Sequence, residues 1–243
     1  MRAAGLLLLL GTFAAALPAR GDLRLEASPA EIREGLGWSG GTLRVRGEAR
    51  PGDGVVVRVL GEVRKETWVL KRRSGPFWLP GERVALAGAP EVYLLQAERP
   101  LEELLLPEEA RRAGLGEGAL EEALGLAGDR SYLASELFRQ WRASGRLAAG
   151  EGGISRQGEH FEAAFALPAS LAEGTLRVEA FACREGRIGD RGTVGVPVRR
   201  EGLAAFLAEA ARRRPALYGL GAALLALAVG LLVGVAFPHG RAH

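Results

Sequence analysis

A glycine-rich segment near the amino terminus contains a serine whose neighbours fit a nucleophile pattern. Residues 37–41 read Gly-Trp-Ser-Gly-Gly, which matches the G-x-S-x-G turn of many hydrolases. That turn exposes its serine only when a strand precedes it and a helix follows it. Here the alternating residues 42–46 predict a following strand. We therefore interpret the segment around Ser39 as a tight turn, and for the same reason its overlapping G-x-G-x-x-G pattern is not a dinucleotide site.

His160 is the only histidine before residue 239, and Glu159 and Glu162 flank it. A hydrolase built on Ser39 would need His160 as its base, in a pocket between the main domain and a helical insert. A catalytic zinc site typically needs three protein ligands with histidine prominent, which this segment does not supply. We expect no catalytic, cofactor-binding or metal-binding residues, and keep the enzyme with a pocket near Ser39 and His160 as the alternative.

Composition argues against a nucleic-acid binder. The net charge is +3, with 32 basic and 29 acidic residues interspersed along the chain, so no single-sign field is expected. Cys183 is the only cysteine, which excludes an internal disulfide and a cysteine-rich metal site. We expect a buried thiol at Cys183, with an intermolecular disulfide as the alternative.

The amino terminus has the pattern of a secretory signal peptide. Arg2 precedes an apolar run over residues 3–17, which is too short to cross a bilayer that needs about 20 residues. Small residues follow, and cleavage after Ala16, Ala19 or Gly21 fits them. We assign residues 1–21 to the signal peptide; an uncleaved amino-terminal anchor is the alternative.

The carboxyl terminus has the pattern of a membrane span. Residues 217–237 carry no charge and would form a helix of about 31 Å, which matches the hydrocarbon core. Residues 201–216 predict an amphipathic juxtamembrane helix, and residues 238–243 a short cytoplasmic tail. The juxtamembrane arginines are predicted to meet lipid headgroups: Arg212, Arg213 and Arg214. Small residues every four positions are predicted to form a helix-packing face for a membrane-protein partner or a second copy: Ala222, Ala226, Gly230 and Gly234.

The charges that flank the span conflict with the signal peptide. Arg212–Arg214 precede the span and only Arg241 follows it, and by the positive-inside tendency this would place the domain in the cytoplasm. A cleaved signal peptide exports the amino terminus and forces the single later span to end inside. We expect the signal peptide to decide, which gives a membrane-anchored protein whose domain lies outside the cytoplasm.

Between the two ends, residues 22–200 read mainly as β structure. Short alternating strands are separated by turns, among them residues 74–76 and Pro80-Gly81. Residues 101–147 read instead as helices, the clearest of which places Leu133, Leu137 and Trp141 on one face. The pattern predicts an immunoglobulin-like antiparallel sandwich with a helical insert. Trp141 is expected to pack against the sandwich.

Three arginines follow the same helical spacing as this apolar face, on the opposite side. Arg139, Arg142 and Arg146 are predicted to form one stripe. We interpret the stripe as a solvated face, with a dock for an acidic partner or lipid headgroups as the alternative.

Several short stretches carry a resemblance to a known family. They are GPFW at 75–78, PEVY at 90–93, RPL at 99–101, FALP at 165–168, GTLRV at 174–178 and PALYGL at 215–220. In their order and spacing the chain resembles a family of uncharacterised bacterial transmembrane proteins, described mainly from alphaproteobacteria. The resemblance implies a signal peptide, a periplasmic domain and one carboxyl-terminal span, and no established activity or catalytic residues. It also implies a partner class, since family members sometimes neighbour genes for sulfite-exporter-like permeases.

Two functional hypotheses follow. The first is a membrane-anchored periplasmic interaction or accessory module, associated with an inner-membrane permease. The second is the envelope hydrolase or ligand-binding enzyme with a pocket near Ser39 and His160. We expect the first, without enzymatic activity.

Overall fold

The computed structural model describes residues 23–35 and 37–236. The predicted signal peptide, the last residue of the predicted span and the predicted tail lie outside these residues. The strands are β1 Leu25–Ser28, β2 Ile32–Glu34, β3 Gly41–Glu48, β4 Gly54–Leu60, β5 Val63–Ser74, β6 Phe77–Pro90, β7 Tyr93–Ala97, β8 Leu147–Glu151, β9 Ile154–Gln157, β10 His160–Leu167, β11 Gly174–Arg184 and β12 Arg187–Arg200. The helices are α1 Leu101–Leu104, α2 Pro107–Arg112, α3 Glu117–Ala123, α4 Ser131–Ala143, α5 Gly202–Arg213 and α6 Pro215–Ala236.

Two sheets face each other across the first hydrophobic core. The smaller has the order β1-β3-β10-β9 and the larger β2-β12-β11-β4-β7-β8. Alternate residues of facing strands, such as Leu43, Phe165, Val57 and Val178, share this core, as the two-residue period of strands requires. The predicted mainly β fold is confirmed. The immunoglobulin-like antiparallel order is not confirmed, because β2 and β8 join the larger sheet in parallel to β12 and β7.

A second core covers the other face of the larger sheet. It contains Val56, Tyr93 and Phe181 from the sheet together with Leu137 and Trp141 from α4. Strand β4 lies between the two cores and is buried on both faces, which explains its four valines, at 55–57 and 59. The predicted packing of Trp141 is confirmed, since its side chain is only 2% exposed.

Strands β5 and β6 follow β4 and precede β7 along the chain, and they form a long separate hairpin, while β4 and β7 pair directly in the larger sheet. The turn of the hairpin is at Gly75, where φ is +61°, so the predicted turn at residues 74–76 is confirmed. The predicted turn at Pro80-Gly81 is wrong, because Pro80 lies inside β6 opposite Lys71. Proline is tolerated there because a two-stranded ribbon leaves one edge of each strand without ladder hydrogen bonds.

Helix α4 ends in a Schellman motif. The Gly145 N–H donates to the Arg142 carbonyl at 3.1 Å, and the Arg146 N–H donates to the Trp141 carbonyl at 2.8 Å. Gly145 has φ of +74°, a conformation that glycine adopts without strain. Arg146 therefore lies beyond the helix, so the predicted stripe of three arginines on one helix is wrong at this residue.

Helices α5 and α6 are separated at Arg214. The break is caused by Pro215, which disfavours helical dihedrals in the residue before it, and Arg214 has φ of −138° and ψ of 62°. Within the described residues, α6 is the one helix long and apolar enough to cross a membrane. Its residues 215–234 are all exposed.

Candidate functional site

The strand pairings define two ends of the β layers. Strand β11 begins at Gly174, which pairs with Val198 near the end of β12, and Leu60 at the end of β4 pairs with Arg177. We call this the anchor end, because β12 leads from it into α5 and α6. The opposite, distal end holds Gly54, which pairs with Cys183.

Ser39 and His160 lie at opposite ends of one ladder. Ser39 precedes Gly41, which pairs with Leu167, whereas His160 pairs with Glu48 at the other end of the same two strands. Seven residues of strand separate the two levels, or about 23 Å. The alternative hypothesis of one pocket containing both residues is therefore wrong. The loop before β3 is held instead by Trp38, whose indole N–H donates to the Pro168 carbonyl at 3.3 Å.

His160 lies in a shallow groove on the outer face of the smaller sheet. Its Nδ1 is 3.5 Å from a carboxylate oxygen of Glu48. Glu162 accepts a hydrogen bond of 2.8 Å from Arg46 and lies 3.8 Å from Arg44. The Arg46 hydrogen bond lowers the pKa of Glu162, so this carboxylate is an ionised partner of arginine rather than a proton donor. Among residues 23–35 and 37–236, no three histidine, cysteine, aspartate or glutamate side chains are grouped so that they could hold a metal ion.

A buried ionic cluster, which sequence reasoning missed, crosses the larger sheet. Arg58 and Glu179 are directly opposed in the β4–β11 ladder, and the Arg58 Nε donates to Glu179 Oε2 at 3.0 Å. Arg191 pairs with the other oxygen of the same carboxylate. Burial alone would raise the pKa of Glu179, but hydrogen bonds and charge from Arg58 and Arg191 outweigh it and lower the pKa.

This cluster fixes the loop between α2 and α3. Arg58 Nη1 donates to the carbonyls of Ala113 at 2.8 Å and Gly114 at 2.7 Å. The Tyr93 hydroxyl donates to Gly114 at 3.0 Å and accepts from the Gly116 N–H at 2.9 Å. Burial raises the pKa of Tyr93. Arg58, Glu179 and Tyr93 use their hydrogen bonds on one another and on the main chain of this loop. Their role is therefore to attach the helices to the sheet.

Cys183 is buried at the distal end of the second core. Its side chain is 3% exposed, and burial, with a contribution from the nearby Asp53, raises the thiol pKa to about 12. A thiol in this state is neither a nucleophile nor accessible to a second protein. The predicted buried thiol is confirmed, and the alternative of an intermolecular disulfide does not fit its burial.

The three arginines predicted as one stripe each bind a different part of the protein. Arg139 binds Glu136 within α4, and Arg142 binds Glu117 at the start of α3. Arg146 donates to Glu66 of the hairpin at 2.7 Å and to the Glu91 carbonyl at 2.9 Å. Its guanidinium also lies 4.5 Å from the centre of the Trp141 ring.

At the anchor end, the predicted headgroup arginines surround the break between α5 and α6. Arg212 lies 3.5 Å from Glu173, in the loop before β11, and 3.4 Å from Glu209 of α5. Arg213 also pairs with Glu209. Arg212 and Arg213 are nevertheless 66% and 80% exposed, so their charges remain available to a charged surface. An apolar hollow between α5 and α6, lined by Leu207 and Tyr218 among others, adjoins them.

The predicted small-residue face runs as a ridge along α6. Ala222, Ala226, Gly230 and Gly234 are all exposed, and no atom lies within 4 Å of a Cβ built at either glycine. Each four-residue step advances 40° around a helix of 3.6 residues per turn, so the ridge is inclined to the axis, as in helix packing by i±4 rows. The whole surface of α6 over residues 215–234 is exposed, and along the ridge small side chains permit close approach of another helix.

The model of a family described as "Putative transmembrane protein (Alph_Pro_TM)" matches residues 22–239, which include both the β layers and α6. A comparison with curated proteins gives no match.

Proposed function

Since the chain belongs to this family of transmembrane proteins, we propose that it is a single-pass accessory module of the bacterial inner membrane. Its β domain faces the periplasm and α6 both anchors it and binds a membrane-protein partner. The observation that carries the proposal is the exposure of α6: the two cores close without it, and every side chain over residues 215–234 is free for lipid or protein.

The amino-terminal sequence supports the periplasmic orientation. A positively charged tip, a short apolar run and small residues before position 22 form a secretory signal. The exposed Arg212 and Arg213 precede α6 and favour the opposite orientation. We expect the signal peptide to decide the orientation, because export of the amino terminus carries the whole domain across the membrane before α6 is inserted.

The polar groups of the domain support a binding role rather than catalysis. Glu179, Glu162 and Glu66 are each paired with arginine, and Cys183 is a buried thiol. Ser39 and His160, which the enzyme hypothesis requires together, are separated by about 23 Å of strand. No second function is proposed.

The partner is the component that the family resemblance suggests, an inner-membrane permease of the sulfite-exporter-like type, with a second copy of this chain as the competing occupant. Lipid tails solvate apolar side chains as well as another helix does, so association needs close backbone approach. Glycine and alanine along the ridge permit that approach.

The test is partner co-purification from mild detergent with substitutions on and off the ridge. Gly230→Ile and Gly234→Ile keep α6 apolar and block close approach, so the partner should be lost while membrane insertion is retained. Ala228→Ile adds similar bulk about 200° around the helix from Gly230 and should retain the partner. If the complex survives both glycine changes, α6 is an anchor only; if only a homodimer is recovered, the partner is a second copy.

A further inference from the structure

The β5–β6 hairpin extends beyond the body of the protein. Its base is packed: Val84 and Leu86 are buried, and Trp68 and Leu70 are partly buried against the second core. Beyond this base, residues 73–77 and 79–83 are all exposed. From the Val69–Arg83 pair to the turn at Gly75, this outer arm is about 20 Å long.

The outer arm exposes apolar side chains in spite of this isolation. Phe77 is 67% exposed and Leu79 is 44% exposed, and their partners Ser74 and Arg72 place them on one face of the ribbon. Val69, which is 47% exposed, lies on the other face. An isolated two-stranded hairpin is marginally stable in water. Neighbouring exposed apolar residues rimmed by charge are typical of an interaction surface, and Phe77 and Leu79 form such a pair on one face of the arm.

The positive charge of the arm favours an anionic binding partner. Residues 71–73 are Lys-Arg-Arg, and within residues 69–83 four basic residues outnumber the one acidic residue, Glu82. Both lysines of the chain, Lys65 and Lys71, are in β5. Basic side chains next to aromatic and aliphatic ones suit an anionic headgroup layer, where charge attracts and aromatic rings settle at the interface. A second copy is disfavoured, because like charges repel and Pro80 removes a donor from the strand edge.

The root of the arm lies at the anchor end. Val63 follows Leu60 by three residues, and Arg64 lines one surface hollow together with Glu173, Arg200 and Arg212. Arg212 belongs to the last turn of α5, directly before α6. The hairpin therefore starts beside the point where the chain enters its membrane segment, which brings an anionic membrane surface within its reach.

We propose that the outer arm, residues 69–83, is a second membrane contact that docks on the anionic lipid surface beside α6. Phe77 and Leu79 enter the headgroup layer, and the exposed Arg73 binds lipid phosphates. The arm restricts rotation of the domain about the break at Arg214 and so presents one side of α6 to a partner. The docking requires α6 in the membrane but neither the periplasmic orientation nor a protein partner.

The test uses the full chain reconstituted in lipid vesicles, with a fluorophore at the arm. Phe77→Cys is labelled with an environment-sensitive maleimide; Cys183 does not compete, because it is 3% exposed and its pKa is raised to about 12. In vesicles containing phosphatidylglycerol, lipid-bound quenchers should reduce the emission several-fold. Quenching should be weaker in vesicles of phosphatidylcholine alone. It should also be weaker when the labelled protein carries Arg73→Glu as a second substitution. Gln157→Cys, exposed at the distal end of β9, is the matched control and should not be quenched.

Each other result would overturn the proposal. Absence of quenching at Phe77→Cys in anionic vesicles would show a solvated arm. Equal quenching in phosphatidylcholine and in anionic vesicles would show that the basic residues make no electrostatic contact with the lipid. Emission that changes with the protein-to-lipid ratio but is unaffected by lipid quenchers would identify a second copy as the occupant. A failure of the permease complex would leave this measurement unchanged, since the vesicles contain no partner.

Discussion

Arg58 and Glu179, 121 residues apart in sequence, are direct cross-strand partners inside the second core. Their residues are 8% and 2% exposed, and the guanidinium also holds the carbonyls of Ala113 and Gly114. One ion pair thus joins the central strands of the larger sheet and connects them to the helical layer. A buried pair of this kind can cost as much in desolvation as it returns, but breaking it is strongly unfavourable.

Removal of the carboxylate should therefore destabilise the fold. Glu179→Leu leaves Arg58 buried without a counter-charge, and we expect the free energy of unfolding to fall by about 3–5 kcal/mol. Chemical unfolding of the full chain in detergent, followed by tryptophan fluorescence, measures the change. The double variant Arg58→Met with Glu179→Leu should recover part of the loss, although the carbonyls of Ala113 and Gly114 still lose their donor. A double variant no more stable than Glu179→Leu would contradict the explanation by an unpaired buried charge.

The same carboxylate should make stability depend on acid pH. The pKa of Glu179 is lowered from its ordinary 4.5, so the unfolded chain binds this proton more readily than the folded one. Stability from Glu179 is therefore fully present above about pH 4.5 and is lost as the pH falls through the folded pKa. The difference in unfolding free energy between the native chain and Glu179→Gln should shrink over that range. A difference independent of pH would contradict the assignment.

Trp141 should be among the largest single contributors to the second core. Its side chain is 2% exposed, packed near Phe138 and under the Arg146 guanidinium. Trp141→Ala should lower the unfolding free energy by about 3–5 kcal/mol. Tyr132→Ala on the same helix is the matched control, because Tyr132 is 64% exposed, and should cost under about 0.5 kcal/mol. A loss below about 1 kcal/mol at Trp141 would indicate that α4 is attached mainly by other contacts.

Reporter fusions should resolve the conflict between the signal peptide and the arginines. A reporter active only in the periplasm should function when fused after Arg200, at the end of β12. A reporter active only in the cytoplasm should function when fused after His243. The reverse pattern would show that Arg212–Arg214 determine the orientation and would place the domain in the cytoplasm.

Local periodicity was sufficient for most individual elements. The four-residue spacing of Leu133, Leu137 and Trp141 predicts α4, because a helix of 3.6 residues per turn returns to nearly the same face at that interval. The alternation in residues 161–167 predicts β10 because strands alternate their faces. The apolar length of residues 217–237 predicts α6. These signals lie within one element, so no tertiary information is needed to detect them.

Contacts between distant segments were decided only by the tertiary structure. A buried arginine in a run of valines signals an ion pair at Arg58, but its partner depends on which strand lies beside β4. Arg146 has helical spacing in the sequence, yet the helix ends at Gly145, and the Arg146 side chain binds Glu66 of the hairpin. Ser39 and His160 have complementary chemistry, but ladder register places them at opposite ends of β3 and β10. The sequence alone determined most secondary elements and the apolar anchor. Strand order and register determined the site geometry, because they depend on contacts between residues far apart along the chain.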